Sequence, residues 1–161
     1  MSKEKLPIVP VTPTLQLLYT SRIEIAEPLT LGKAPYGERR IINIAGGLFS
    51  GPRLSGRILP GGADWQIVRS DGIAEVEARY TLETYDGALI YITNWGYRHG
   101  PPDVMSRLSL GDKVDPWEYY FRTTPKFETG SPEYAWLNGI ISVAAGERRA
   151  DEVVITVYEV K

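Results

Sequence analysis

The chain has 161 residues, 18 basic and 20 acidic side chains, a net charge of −2 and no cysteine. That length suits one domain with a sizeable core, and the charge balance leaves no basic excess to attract a nucleic-acid backbone or an anionic membrane. The missing thiols exclude disulfides, thiolate nucleophiles and cysteine-ligated zinc, in keeping with a cytoplasmic protein.

Residues 1–13 carry three prolines and read as a flexible or extended lead-in to a single domain over 14–161. No apolar segment of signal-peptide type is present, nor a run of about 18 apolar residues, so no membrane partner is expected. LQLLYTSRIEI (15–25) predicts the first strand. ERRIINIAGG (38–47) and PRLSGRILP (52–60) predict two more, the latter with Gly56 as a bend or bulge. DWQIVRS (64–70) follows, closed by Ser70-Asp71-Gly72, and the spacing from Leu59 to Trp65 predicts a hairpin. From Glu75 to Glu83 polar and apolar residues alternate strictly, the period of a strand with two different faces. Asp86-Gly87 then predicts a tight turn into ALIYITNW (88–95).

Gly-Pro-Pro at 100–102 forces an irregular path, with a short helix near Asp103–Leu108 capped by Asp103. A short aromatic strand lies within 117–129, and SPEYAWLNG (131–139) predicts a turn or one helical turn. Strands follow in LNGIISVAAGERR and in DEVVITVYEV (151–160), the last apolar on both faces. Eight to ten short strands joined by turns predict an all-β, single-domain antiparallel β-barrel, which removes exposed edges by closing; a β-sandwich is the alternative.

The glycine loops do not fit phosphate chemistry. Gly46 to Gly51 has Walker spacing, but Pro52-Arg53 stands where lysine and serine or threonine are needed. Pro60-Gly61-Gly62 leads into a strand, so no helix N-terminus meets a phosphate, and the glycines read as turn chemistry. His99, the sole histidine, excludes multi-histidine metal sites, and no G-x-S-x-G elbow accompanies it; it reads as a loop residue. No metal and no cofactor are expected.

The residues that suggest binding are the acid and indole after the glycine turn, Asp64 and Trp65, and the strand pair Arg79 and Tyr80, of which only one can face a barrel interior. An inward arginine suits a carboxylate or enolate oxygen; an inward tyrosine supplies a hydroxyl and a ring. Aromatic clusters at Trp95–Tyr97, Trp117–Arg122 and Tyr134–Trp136 serve either a core, a subunit interface or the walls of a site for a flat molecule.

The stretches INIAGGLFSGPRLSGRILPGGADW, ARYTLETYDGALIYI, YYFRTTPKFETGSPEYAWLN and VVITVYEV together resemble the uncharacterised family catalogued as domain of unknown function 3237, from about Leu15 to Val160. The resemblance implies a single-domain β-barrel and carries no general activity. It marks Asp64, Trp65, Arg79, Tyr80, Phe121, Arg122, Trp136 and Asn138 as ligand-binding candidates.

Three expectations follow. The first is a barrel that binds a small organic acid or aromatic metabolite in its interior. The second is a cofactor-independent lyase, isomerase or hydratase in which Asp64 acts as base and Arg79 or Tyr80 stabilises an oxyanion. The third is an interaction module whose aromatics meet in a homo-oligomer.

Overall fold

In the computed structural model, which describes residues 4–161, ten strands form one antiparallel sheet that closes on itself. They are β1 (Leu15–Ile25), β2 (Leu29–Ala34), β3 (Gly37–Ser50), β4 (Ser55–Ile58), β5 (Ala63–Val68), β6 (Ala74–Thr84), β7 (Leu89–His99), β8 (Tyr120–Glu128), β9 (Ser142–Arg148) and β10 (Glu152–Val160). β6 to β10 run as a meander, β10 pairs with β1, and β1 pairs with β3 to close an eight-position barrel.

The two extra strands arise because β3 is long enough to pair twice along each edge. On one edge it pairs with β1 through Ile44–Ser50 and with β2 through Gly37–Ile41. On its other edge it pairs with β4 through Leu48–Ser50 and with β5 through Glu38–Asn43. β4 and β5 both run antiparallel to β6 as well. They are therefore one barrel position broken at Leu59–Gly62, not the two arms of the expected hairpin. Leu59 N–H donates to Thr81 O and Ile44 N–H to Gly62 O, both at 2.9 Å, so the break is tied to a neighbour on each side. Spacing and turn residues alone do not distinguish a reversal from an interruption, because glycine serves both.

The alternation on β6 sorts as its period requires. Ala74, Val76, Ala78, Tyr80, Leu82 and Thr84 are buried, while Glu77 and Arg79 face solvent. Leu82, Ile90, Ile92 and Val157 are completely buried, each contributing roughly 1.5–3 kcal/mol by leaving water. The Asp86-Gly87 turn forms, with Gly87 at φ 89°. β7 runs four residues beyond the predicted end at Trp95, so His99 closes a strand and stacks on Tyr120 instead of lying in a loop.

The helix is α1 (Pro102–Ser109). Its N-cap is Pro101, and Asp103 sits in the first turn without capping it. Short 3-10 helices cover Pro116–Glu118 and Pro132–Gly139. β2 escapes the sequence pattern because most of its residues are exposed and Gly32 interrupts it, so it carries no alternation to read. No helix among the described residues is long and apolar enough to cross a membrane, and no cluster of potential metal ligands is found among them.

Candidate functional site

One mouth of the barrel opens beside α1 as a funnel of about 680 Å³, bounded by Arg40, Val68, Met105, Leu108 and Arg148, with Glu27, Glu38 and Asp151 around it. An interior cavity of about 50 Å³ shares Ile25, Arg98 and Arg148 with this funnel. Its walls are mostly aliphatic, from Ile23 of β1, Ile42 and Ile44 of β3, Val76 and Ala78 of β6, and Val153 and Ile155 of β10. Asp64, Gln66, Tyr80, Asn94, Arg98 and Arg148 interrupt them with polar groups.

Strand parity brings these groups together. Asp64 and Gln66 are two apart on β5, and Asp64 stands opposite the inward residues Ile42 and Ala78. On β7 the inward set is Ile90, Ile92, Asn94, Gly96 and Arg98. The β5–β6 ladder is made by Ala63, Asp64, Ile67 and Val68 and skips Trp65 and Gln66. At that gap the Asp64 side chain replaces the lost ladder bond: its Oδ1 accepts from Glu77 N–H at 2.9 Å. Its Oδ2 accepts from Gln66 Nε2 at 3.1 Å, and Gln66 Oε1 accepts from Arg40 Nη1 at 3.3 Å. A chain of contacts thus links the acid to the mouth.

Burial raises the Asp64 carboxyl above the ordinary aspartate range, although the Glu77 amide, Arg98, Gln66 and Arg40 all favour its ionised form. Arg98 is only 8% exposed, and its Nε has no hydrogen-bond partner. Burial, helped by Arg148 and Arg40, lowers Arg98 to about 10, so it stays charged at neutral pH. Among the described residues no carboxylate forms an ion pair with it. Its guanidinium lies 5.7 Å from the centroid of the Phe121 ring. Buried polar atoms are nearly always satisfied. Here Tyr19 Oη, Asn94 Oδ1 and Thr123 Oγ1 join Arg98 Nε as exceptions, all on inward-facing residues. Burial also raises the Tyr80 and Tyr19 hydroxyls, which remain protonated donors.

The eight residues singled out from the sequence separate into three groups. Asp64, Tyr80 and Phe121 line the cavity. Trp65 is 38% exposed, and Arg79 points outward to pair with Glu77 at 3.1 Å, so the open choice between Arg79 and Tyr80 falls to Tyr80. Arg122 lies on the outer face, near Trp117 and Tyr120. Trp136 packs beneath the guanidinium of Arg53 at 3.5 Å, and Asn138 bonds the backbone of Thr129 at both its amide N–H and its carbonyl. These last two brace the 3-10 helix and do not line the cavity.

Sequence reasoning missed Gln66, Asn94, Arg98, Arg148 and Arg40. For Asn94 and Arg98 a signal existed: carrying the parity of Ile90 and Ile92 onward along the strand turns both inward. An Arg79→Ala variant loses only an exposed ion pair, worth well under about 1 kcal/mol. Its thermal midpoint and its ligand titrations are expected to match those of the parent.

The family model described as a protein of unknown function, DUF3237, matches residues 13–160. An uncharacterised UPF0311 protein of Rhodopseudomonas palustris is 45% identical over 152 residues, covering 93% of this chain and 99% of that protein. A crystal structure of a beta-barrel like protein from Acinetobacter baumannii superposes with a TM-score of 0.84 at 44% identity, covering 96% of this chain and 100% of that one. Farther off, a Penicillium herquei protein named a hydroalkoxylation enzyme is 22% identical over 131 residues, covering 81% of this chain and 72% of that protein. A crystal structure of an enzyme from the same fungus has a TM-score of 0.74 at 19% identity, covering 97% of this chain and 100% of that one, a likeness of fold. With the family model spanning the whole barrel and a relative this similar over nearly its full length, the chain belongs to the DUF3237 family.

Proposed function

We propose that the barrel mouth binds a small organic anion, with a carboxylate or enolate oxygen on Arg98 and the body of the molecule in the funnel under α1. One observation carries this reading: a guanidinium almost wholly buried, charged at neutral pH, with an unpartnered Nε and, among the described residues, no carboxylate in an ion pair with it. Burying an unpaired charge costs several kcal/mol, a cost that an arriving anion offsets. Size supports the division of labour. The cavity of about 50 Å³ takes a head group or a water, and a funnel of about 680 Å³ is of the size that holds metabolites. The aliphatic walls and Phe121 suit an apolar or aromatic body.

The test is native mass spectrometry of the protein as purified, followed by calorimetric titration with benzoate and 4-hydroxybenzoate as probe anions and benzamide as the neutral control. Binding of the acids with none of the amide is the expected result. Equal binding of all three, or of none across a wider panel of organic acids, would overturn the reading.

A second reading is acid–base catalysis at Asp64. Its raised pKa favours it, since burial that opposes ionisation makes the carboxylate a stronger proton acceptor than an exposed aspartate. The distant fungal relative bears the name of an enzyme that adds an O–H across a carbon–carbon double bond, which is proton-transfer chemistry. In this chain Asp64 would hold the proton, and Arg98 with Tyr80 would steady the developing oxyanion.

Asp64→Asn separates binding from turnover. It keeps an acceptor for the Glu77 amide but cannot exchange a proton. Retained binding with turnover lost at least about 100-fold is expected for a catalytic acid–base group; unchanged turnover excludes that role. The same variant has a stability signature. Because the folded-state pKa of Asp64 is raised, its favourable contribution is complete below the ordinary aspartate value of 3.8 and fades as pH rises through the higher folded value. Asp64→Asn is therefore expected to gain stability relative to the parent as pH rises through that window, measured by urea denaturation at a series of pH values.

A further inference from the structure

The outer face of β7 to β10 carries a groove of about 770 Å³ that the barrel's own fold leaves open. Its floor is made of small residues, Gly96 and Ala145, and its walls are aromatic. Trp95 and Tyr97 meet edge to face at 4.8 Å, and Arg122 lies between Trp117 at 5.9 Å and Tyr120 at 5.8 Å. Trp117 is 85% exposed, a large indole held out to solvent. The groove runs over the shortest seam of the barrel, where β8 and β9 pair only through Arg122–Ala145 and Thr123–Ala144.

The segment before β1 is equally unusual. Leu6, Ile8, Val9 and Val11 are between 80% and 92% exposed, so the described residues leave four aliphatic side chains almost uncovered. Pro7, Pro10 and Pro13 recur every third residue, which is the repeat of a polyproline II helix. In that conformation the prolines form one ridge, Leu6 and Val9 with Thr12 a second, and Ile8 and Val11 a third, so every ridge is mainly apolar. The missing proline N–H groups also disqualify the segment as a full partner in a sheet. Apolar polyproline II segments dock in aromatic-lined grooves, because they lose little conformational entropy on binding and rings pack on the pyrrolidines.

We propose that residues 6–13 of one copy lie in the aromatic groove of a second copy, joining two chains by reciprocal exchange of their arms. Position favours a second copy over the arm's own groove. Thr14 exchanges two backbone hydrogen bonds with Lys161, at 3.0 and 2.8 Å, which hold it in line with β1. The next residue, Leu15, is already on the groove's rim. Val9 and Thr12 each precede a proline and are biased to extended backbone, so the arm is stiff and spans about 25 Å. A stiff arm that leaves from the rim in line with β1 does not fold back into the groove it has just passed. A two-fold partner offers the same groove in the opposite sense, and the exchange closes as a dimer.

The test uses the full chain. Sedimentation equilibrium is expected to give a dimer whose dissociation constant rises at least tenfold in Ile8→Asp/Val11→Asp and in Trp117→Ser. All three positions are exposed, so the monomer fold is untouched, which circular dichroism checks. A photoreactive phenylalanine analogue at position 8, in a mixture of isotopically heavy and light chains, is expected to give heavy–light cross-links to peptides containing Trp95, Trp117 or Tyr120. A monomer at every accessible concentration overturns the proposal. So does a dimer indifferent to the arm variants, and so do cross-links confined to chains of one isotope or mapping away from the groove. None of these results bears on ligand binding in the barrel mouth.

Discussion

An Arg98→Met variant is expected to lose affinity for an anionic ligand about 100-fold while its empty barrel is at least as stable as the parent. The two halves of this expectation have one cause. Arg98 is nearly inaccessible to water, its Nε is unpartnered, and burial holds it at about 10. Without ligand its charge is a desolvation cost that no ion pair repays, and methionine of similar length removes it. With ligand the same guanidinium makes charge-assisted hydrogen bonds that methionine cannot replace. Loss of Arg98 also takes away one of the charges that favours ionised Asp64, so the carboxyl moves further up. Thermal denaturation with and without the probe acids reads both effects. A variant that is destabilised without ligand, or that binds as tightly as the parent, contradicts the assignment.

A large stability effect is expected at the interruption between β4 and β5. A Cβ added at Gly62 would collide with Arg79 O and lie 2.6 Å from Tyr80 Cβ. Both atoms belong to β6 near its backbone and have no freedom to move aside. Gly62→Ala is expected to cost about 3 kcal/mol, or roughly 10 °C in Tm for a domain of this size. Gly61 is the control. Its φ is 106°, but a Cβ there meets nothing within 4 Å, so Gly61→Ala strains only its own backbone, at about 1 kcal/mol. If the two variants melt together, the close approach of Gly62 to β6 is not what fixes the start of β5.

Most of the barrel is legible in the sequence because its strands have one wet face and one dry face. On β6 the alternation from Glu75 to Glu83 gives both the strand and its inward set, and Asp86-Gly87 gives the turn that follows. Legibility fails where burial does not alternate. β2 is exposed on nearly every residue, and the break at Leu59–Gly62 has the composition of a hairpin turn although both its neighbours run straight past it. The site is only partly readable for a related reason. Asp64 and Tyr80 stand out as polar groups beside apolar strand residues, but which member of a pair such as Arg79 and Tyr80 turns inward depends on register. Arg98 and Arg148 come from different strands, and nothing local records that a closed sheet brings them to one mouth.

Splitting one barrel position into β4 and β5 separates two tasks that a continuous strand would couple. β4 is held by β3 and β6 deep in the wall, through Ser55–Arg57 and Gly56–Ile58. β5 carries Asp64 and Gln66 into the interior cavity. Adding one residue at the interruption would reverse the parity of β5 alone, exchanging Asp64 for Trp65 inside while leaving β4 in place. Adding two would restore the parity and slide the acid about 7 Å along the strand axis. The four-residue break is thus a spacer: a change in its length would alter the depth of Asp64 and leave the rest of the wall as it is.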